Sequence, residues 1–197
     1  MPIEKRRRSI RLKDYNYTQP GAYFVTLVTH GRKCLFGEVV GGVVQLNDAG
    51  RVMQAAWDEL PNNYAGVEHD AFIVMPNHIH GIVVLVGAGR CARAKEDGQP
   101  QGVAPTKNSS VLSLPDVVHR LKSIKTKQYI DGIKQVGWPS IAGRLWQRNY
   151  FEHVIRNEDS LNRIRQYILD NPAKWEFDRE NPSATKPESK DVWRMET

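Results

Sequence analysis

One segment limits the possible folds more than any other: His78-Ile79-His80-Gly81-Ile82-Val83-Val84-Leu85. Successive side chains of a strand point to opposite faces, and from Ile82 onward both faces are apolar. A strand of that kind has to be central and covered on each side. At its start the same alternation sends His78 and His80 to one side and Ile79 to the other. Two imidazoles then stand about 7 Å apart along one face. Neutral ring nitrogens are good ligands for borderline divalent metals, and a rigid buried strand suits a site whose geometry must be held. A His-x-His pair also occurs at strand ends with no metal, so the assignment needs a second element.

The rest of the chain supplies partners for that strand. Residues 22–30, β-branched and aromatic, read as a first strand, and residues 35–46 as a short hairpin or irregular strand around Gly37, Gly41 and Gly42. Asn47 or Asp48 can cap a helix running to about Leu60, where Pro61 and Asn62-Asn63 stop it. Residues 67–75 form a strand joined to the histidine strand by Pro76-Asn77, which is turn chemistry for a hairpin. A helix starts near Pro115-Asp116 and continues to about Ile133, with Val117, Val118, Leu121 and Ile124 on its apolar face. That spacing leaves Arg120, Lys122, Lys125 and Lys127 largely exposed. Residues 145–155 read as extended, and a last helix runs from Asn157 to Asn171-Pro172. Antiparallel strands with helices packed on them make an α+β sandwich, ferredoxin-like in its order of elements.

At 197 residues the chain has room for one good core. The organisation expected is a basic N-terminal arm (1–14), one domain (15–175) interrupted by a flexible loop at about 87–112, and a loosely packed polar tail (176–197). A net charge of +6 and a pI near 9.4 favour an acidic partner, with nucleic acid first. Cys34 and Cys91 form neither a disulfide framework nor a zinc-finger pattern. No apolar run is long enough to span a membrane, and none follows the basic N-terminus as a signal peptide requires, which points to the cytoplasm.

The last helix carries the second element. Leu161, Ile164 and Ile168 form its apolar stripe, and Tyr167 and Asn171, four residues apart, share one side at the stripe's edge. A tyrosine hydroxyl is a poor nucleophile at its ordinary pKa near 10. A divalent metal held by His78 and His80, with the Asn171 amide oxygen as a third ligand, could polarise a phosphodiester. Tyr167 would then attack phosphorus and keep the bond energy as a phosphotyrosine. The bland alternative is that Tyr167 extends the core and Asn171 merely ends the helix.

Three motifs in order, Met75-Pro76-Asn77-His78-Ile79-His80-Gly81, then the run from Leu145 to Asn157, then Tyr167-Ile168-Leu169-Asp170-Asn171-Pro172, resemble the single-tyrosine HUH transposases. Within them the chain is most similar to the REP-associated tyrosine transposases, over roughly residues 15–175. The resemblance implies a ferredoxin-like or RRM-like core that cleaves single-stranded DNA at hairpin-forming palindromes with Mg²⁺ or Mn²⁺, leaving a 5′-phosphotyrosine and a free 3′-OH. It implies His78 and His80 as the metal pair, Tyr167 as the nucleophile, and Asn171 where the family places a polar third ligand. A bacterial, nucleoid-associated protein acting as monomer or homodimer is expected.

Arg6, Arg7 and Arg8 in the arm, Arg120, Lys122, Lys125 and Lys127 on the basic helix, and Arg148 are the candidate DNA contacts. Tyr129, on the basic helix, is the rival nucleophile. Tyr150 and Phe151 could stack on unpaired bases or fill the core. Two other readings stand beside the enzyme. One is a catalytically silent DNA or RNA hairpin-binding module, and the other a structural metal site using His78, His80 and Cys91.

Overall fold

The computed structural model describes residue 12 and residues 14–86 and 112–187. The arginines at 6–8, all but the last residue of the loop read at about 87–112, with Cys91, and residues 188–197 lie outside the described residues. The elements are β1 (Gly21–Val28), β2 (Gly37–Val40), β3 (Val43–Leu46), α1 (Asp48–Asp58), the short α2 (Leu60–Asn63), β4 (Val67–Val74), β5 (His78–Leu85), α3 (Leu114–Val136), β6 (Phe151–Ile155) and α4 (Glu158–Asp170).

Local chemistry accounts for most of these boundaries. Asn47 Oδ1 accepts from the Gly50 amide at 2.9 Å and starts α1. Ser113 and Asp116 form a reciprocal capping box at the start of α3, with Pro115 in the first turn. Gly137, at φ 73°, ends α3 in the left-handed region, three residues beyond the expected stop. Asn157 Oδ1 accepts from Ser160 at 2.8 Å and starts α4.

The main sheet has the order β4-β5-β1-β6, every pair antiparallel, and β2-β3 form a separate hairpin. With α1 between β1 and β4 and α3 between β5 and β6, this is the ferredoxin-like arrangement that the sequence implied. The histidine strand is central, as its two apolar faces require. One face carries the larger core, where Val25, Leu27, Ile79 and Val83 meet Met53 and Trp57 of α1 and Val117 and Leu121 of α3. Trp57 lies against β5 because residue 81 is glycine: a Cβ there would come within 2.4 Å of the indole ring. The other face is covered by α4, whose Ile164 and Ile168 close over Phe24, Ile82 and Ile155. His78 and His80 belong to this second face.

Two expectations require correction. Lys125 is not exposed: it is 4% accessible, and its ammonium donates to the Val52 carbonyl at 3.2 Å. The buried stripe of α3 runs Leu114, Val118, Leu121, Lys125, Tyr129, so at this turn the helix places a lysine stem where Ile124 was expected, and Ile124 is 44% exposed. The segment after residue 175 is not a loose tail as far as residue 181. Trp175–Phe177 form a turn of 3₁₀ helix, and Asp178 is buried. Glu180 pairs with Arg32 and accepts from Asn77 through its carbonyl.

Candidate metal centre and tyrosine cleft

Register decides which atoms of the two histidines face each other. Thr26 of β1 lies directly across from His80, and Val28 across from His78. Thr26 Oγ1 is 2.8 Å from His80 Nδ1. His78 Nδ1 is 2.8 Å from Asn77 Oδ1, while Asn77 Nδ2 donates to the carbonyls of Arg32 and Glu180 at 3.0 and 2.6 Å. Because that amide group directs its N–H bonds to carbonyls, its oxygen accepts from His78 Nδ1–H, and His78 Nε2 carries a lone pair. His80 Nε2, 3.0 Å away, then donates to His78, and its Nδ1 accepts from the Thr26 hydroxyl. Both rings are enclosed. Burial pushes His78 down to about 3 and holds His80 well below the usual imidazole range, so both are neutral at pH 7.

Asp178 completes the group. Its Oδ2 is 3.7 Å from His78 Nε2 and accepts from Asn171 Nδ2 at 3.1 Å, and its Oδ1 accepts from the Glu180 amide at 2.6 Å. Ligand atoms of His78, His80 and Asp178 all fall within 4.8 Å of one another. Asn171 lies beside His78 with its Oδ1 buried and without a hydrogen-bond partner.

These residues fit a divalent cation. A buried carboxylate beside two neutral imidazoles has no lysine or arginine partner among the described residues, and such a charge is costly without a cation. The orphan Asn171 oxygen is a further donor aimed at the same place. Two ligand atoms each about 2.1 Å from an octahedral ion stand about 3.0 Å apart when adjacent, which matches the Nε2–Nε2 distance. Both Nδ1 atoms are already held by Thr26 and Asn77, the outer support that metal-binding histidines ordinarily have; a cation would take the other His80 tautomer, with Nδ1–H donating to Thr26 Oγ1 and Nε2 bare.

Tyr167 sits on α4 one turn before Asn171. Its ring lies edge-on to His80 at 5.3 Å and to Phe24 at 6.0 Å, and Phe24 stacks on His80 at 5.4 Å. Tyr167, His80, Thr26 and Asp178 line one cleft of about 230 Å³, walled further by Arg32, Gln147, Phe151 and Arg179. Tyr129 is on the other side of the sheet, fully buried, its hydroxyl donating to the Pro139 carbonyl at 3.1 Å. Phe151 packs under α4 and Tyr150 against the larger core, and both also line the cleft.

The structure thus brings His78, His80, Asn171 and Tyr167 together. It places the basic residues elsewhere. Arg120, Lys127 and Arg148 are exposed, with Arg120 over the Tyr64 ring at 5.4 Å. Lys122 is pinned to the carbonyls of Gln147 and Asn149 at 3.0 and 3.3 Å, and burial lowers its ammonium to about 8. Asp178, Asn77, Thr26 and Arg32 were not legible as site residues. For Asp178 the available signal was Trp175 and Phe177, two large apolar side chains in an otherwise polar stretch.

No protein-family model matches the chain. A Haemophilus influenzae protein described as uncharacterized is 36% identical over 182 residues, spanning 88% of this chain and 92% of that one. Among solved structures, a REP-associated tyrosine transposase bound to a REP hairpin superposes with a TM-score of 0.52 at 19% identity. The match covers 84% of this chain and 74% of the transposase, and establishes a common fold.

Proposed function

From a chain that belongs to one family with the Haemophilus influenzae protein and carries the fold of a REP-associated tyrosine transposase, we propose a metal-assisted DNA strand transferase acting at single-stranded, hairpin-forming palindromes. The observation that carries this reading is a buried group of His78, His80, Asp178 and the orphan Asn171 oxygen that opens, through His80 and Asp178, onto the cleft lined by Tyr167. The likeness to a transposase bound to a REP hairpin supports DNA hairpins as substrate.

His78, His80, Asp178 and Asn171 would hold Mn²⁺ or Mg²⁺, which when bound supplies Lewis acidity toward a non-bridging phosphate oxygen. Tyr167 is the nucleophile. As its oxygen bonds to phosphorus, the P–O3′ bond breaks, the phenolic proton leaves and the departing 3′ oxygen gains one. The products are a 5′-phosphotyrosine and a free 3′-OH, which can reverse the step on the same or another strand. Arg32, at the cleft wall with its side chain 45% exposed and paired with Glu180, would neutralise phosphate charge by exchanging that partner. Its backbone is held at φ 56°, with its carbonyl bonded to Asn77, the same residue that orients His78.

The test incubates labelled single-stranded hairpin DNA and Mn²⁺ with the protein and with Tyr167→Phe. A covalent protein–DNA adduct that disappears in the variant and with chelator is the expected result. Binding of hairpins without any adduct would replace the enzyme by a silent hairpin-binding module.

A further inference from the structure

A second, larger depression of about 680 Å³ lies between α3 and residues 143–147, on the side of the sheet away from α4. Lys127, Ile130 and Lys134 recur at three- and four-residue spacing along one side of α3, and Arg144 stands on the opposite wall. None of the three cations is paired with a carboxylate among the described residues, and Asp131 is the one acid in the lining. Lys122 plays a different part, since its bonds to the Gln147 and Asn149 carbonyls fasten the outer wall to α3. The groove does not end blindly. Gln147 lines both it and the tyrosine cleft, so the two depressions meet at this residue, around the edge of the sheet that β6 forms.

We propose that this groove holds the single-stranded segment of DNA that leads into the tyrosine cleft; the inference rests on the strand-transferase reading above. Lys127 and Lys134 are seven residues apart, roughly 10 Å along the helix axis. Unpaired cations at that separation, faced by Arg144, follow a chain of phosphates. Ile130, 36% exposed, offers an apolar contact to sugar or base, while the Trp146 ring is buried beneath. With no exposed aromatic side chain among the described lining residues, the hold is on the backbone and is indifferent to sequence, so it positions the strand and leaves selectivity to the hairpin.

The experiment compares the full chain with K127Q/K134Q/R144Q, by fluorescence anisotropy over a range of salt, on a labelled hairpin with an unpaired arm and on the same hairpin without it. Adduct formation with Mn²⁺ is read in parallel. Neutralising three phosphate contacts to a single strand flattens the plot of log K against log salt by about 2. The expected result is that shift with at least about tenfold weaker binding of the armed hairpin at low salt, and unchanged binding of the armless one. Unchanged slope and affinity on the armed hairpin, or equal loss on both hairpins, overturns the groove. The single variants K134Q and R144Q, each flattening the slope by about 0.7, replace the triple variant should it unfold. The two readings separate cleanly. Wild-type adducts with variant-insensitive binding remove the groove alone. Arm-dependent, variant-sensitive binding with no wild-type adduct removes the strand transferase and leaves a single-strand track.

Discussion

At the scale of single residues, the site is a set of outer hydrogen bonds that turn the Nε2 atoms of His78 and His80 toward one point. Asn77 matters as much as the histidines, since its oxygen sets the His78 tautomer while its nitrogen ties together Arg32 and Glu180. Thr26 holds the His80 ring through its Nδ1. Removing such outer partners typically lowers metal affinity about 10–100-fold. Thr26→Val should therefore weaken Mn²⁺ binding by about tenfold or more in a calorimetric titration, with little change in thermal stability. Asp178→Asn, which removes the one anionic donor, should weaken it at least as much. Undiminished Mn²⁺ affinity in Asp178→Asn would make that carboxylate a purely structural group.

At the scale of elements, the tyrosine helix is held by its apolar stripe and by one ion pair. Arg165 meets Asp70 of β4 in a two-pronged contact, Nε–Oδ1 at 2.8 Å and Nη2–Oδ2 at 2.7 Å, which holds the Asp70 carboxyl below its usual range. An ion pair open to solvent adds little to stability, so Arg165→Met should leave the fold intact. Its expected signature is slower adduct formation with a smaller loss of Mn²⁺ affinity, because the pair orients the helix that carries Tyr167 and Asn171 while His78, His80 and Asp178 lie on other elements. Equal rates in both proteins would show that Ile164 and Ile168 position α4 unaided. On the opposite face, Gly81→Ala drives a methyl into Trp57, and overpacking of that kind costs about 1–3 kcal/mol. A lowered thermal midpoint is expected.

The whole molecule encloses its site between a sheet and a helix, and the acid response follows from that burial. The folded-state pKa values of His78 and His80 lie below that of a free imidazole, near 6.5. Above that pH neither state is charged and the rings contribute no pH dependence. As the pH falls below it, the unfolded chain takes up protons that the folded chain refuses, so stability declines by as much as about 1.4 kcal/mol per pH unit for each ring, down to about pH 3 for His78. Asp70, with its lowered pKa, adds to the loss in the same direction. Urea unfolding between pH 7 and 4.5 should show a falling midpoint; a flat profile would mean the rings are not sealed from solvent in solution.

Much of this is readable from the chain because it is encoded locally. Alternation over eight residues identifies β5 as central and sets His78 and His80 on one face; cap residues at Asn47, Ser113 and Asn157 and the Pro76-Asn77 turn mark where elements begin and turn. The one-turn spacing of Tyr167 and Asn171 is a property of any α-helix. What the tertiary structure alone decided concerns groups that meet across long stretches of chain. Asn77 and Glu180 bond over 103 positions, Thr26 and His80 over 54, and the carboxylate at Asp178 arrives from a stretch whose composition reads as solvated. The burial of Lys125 escapes the sequence for the same reason. Whether a polar side chain is buried depends on what packs opposite it, and neither periodicity nor charge within its own helix carries that information.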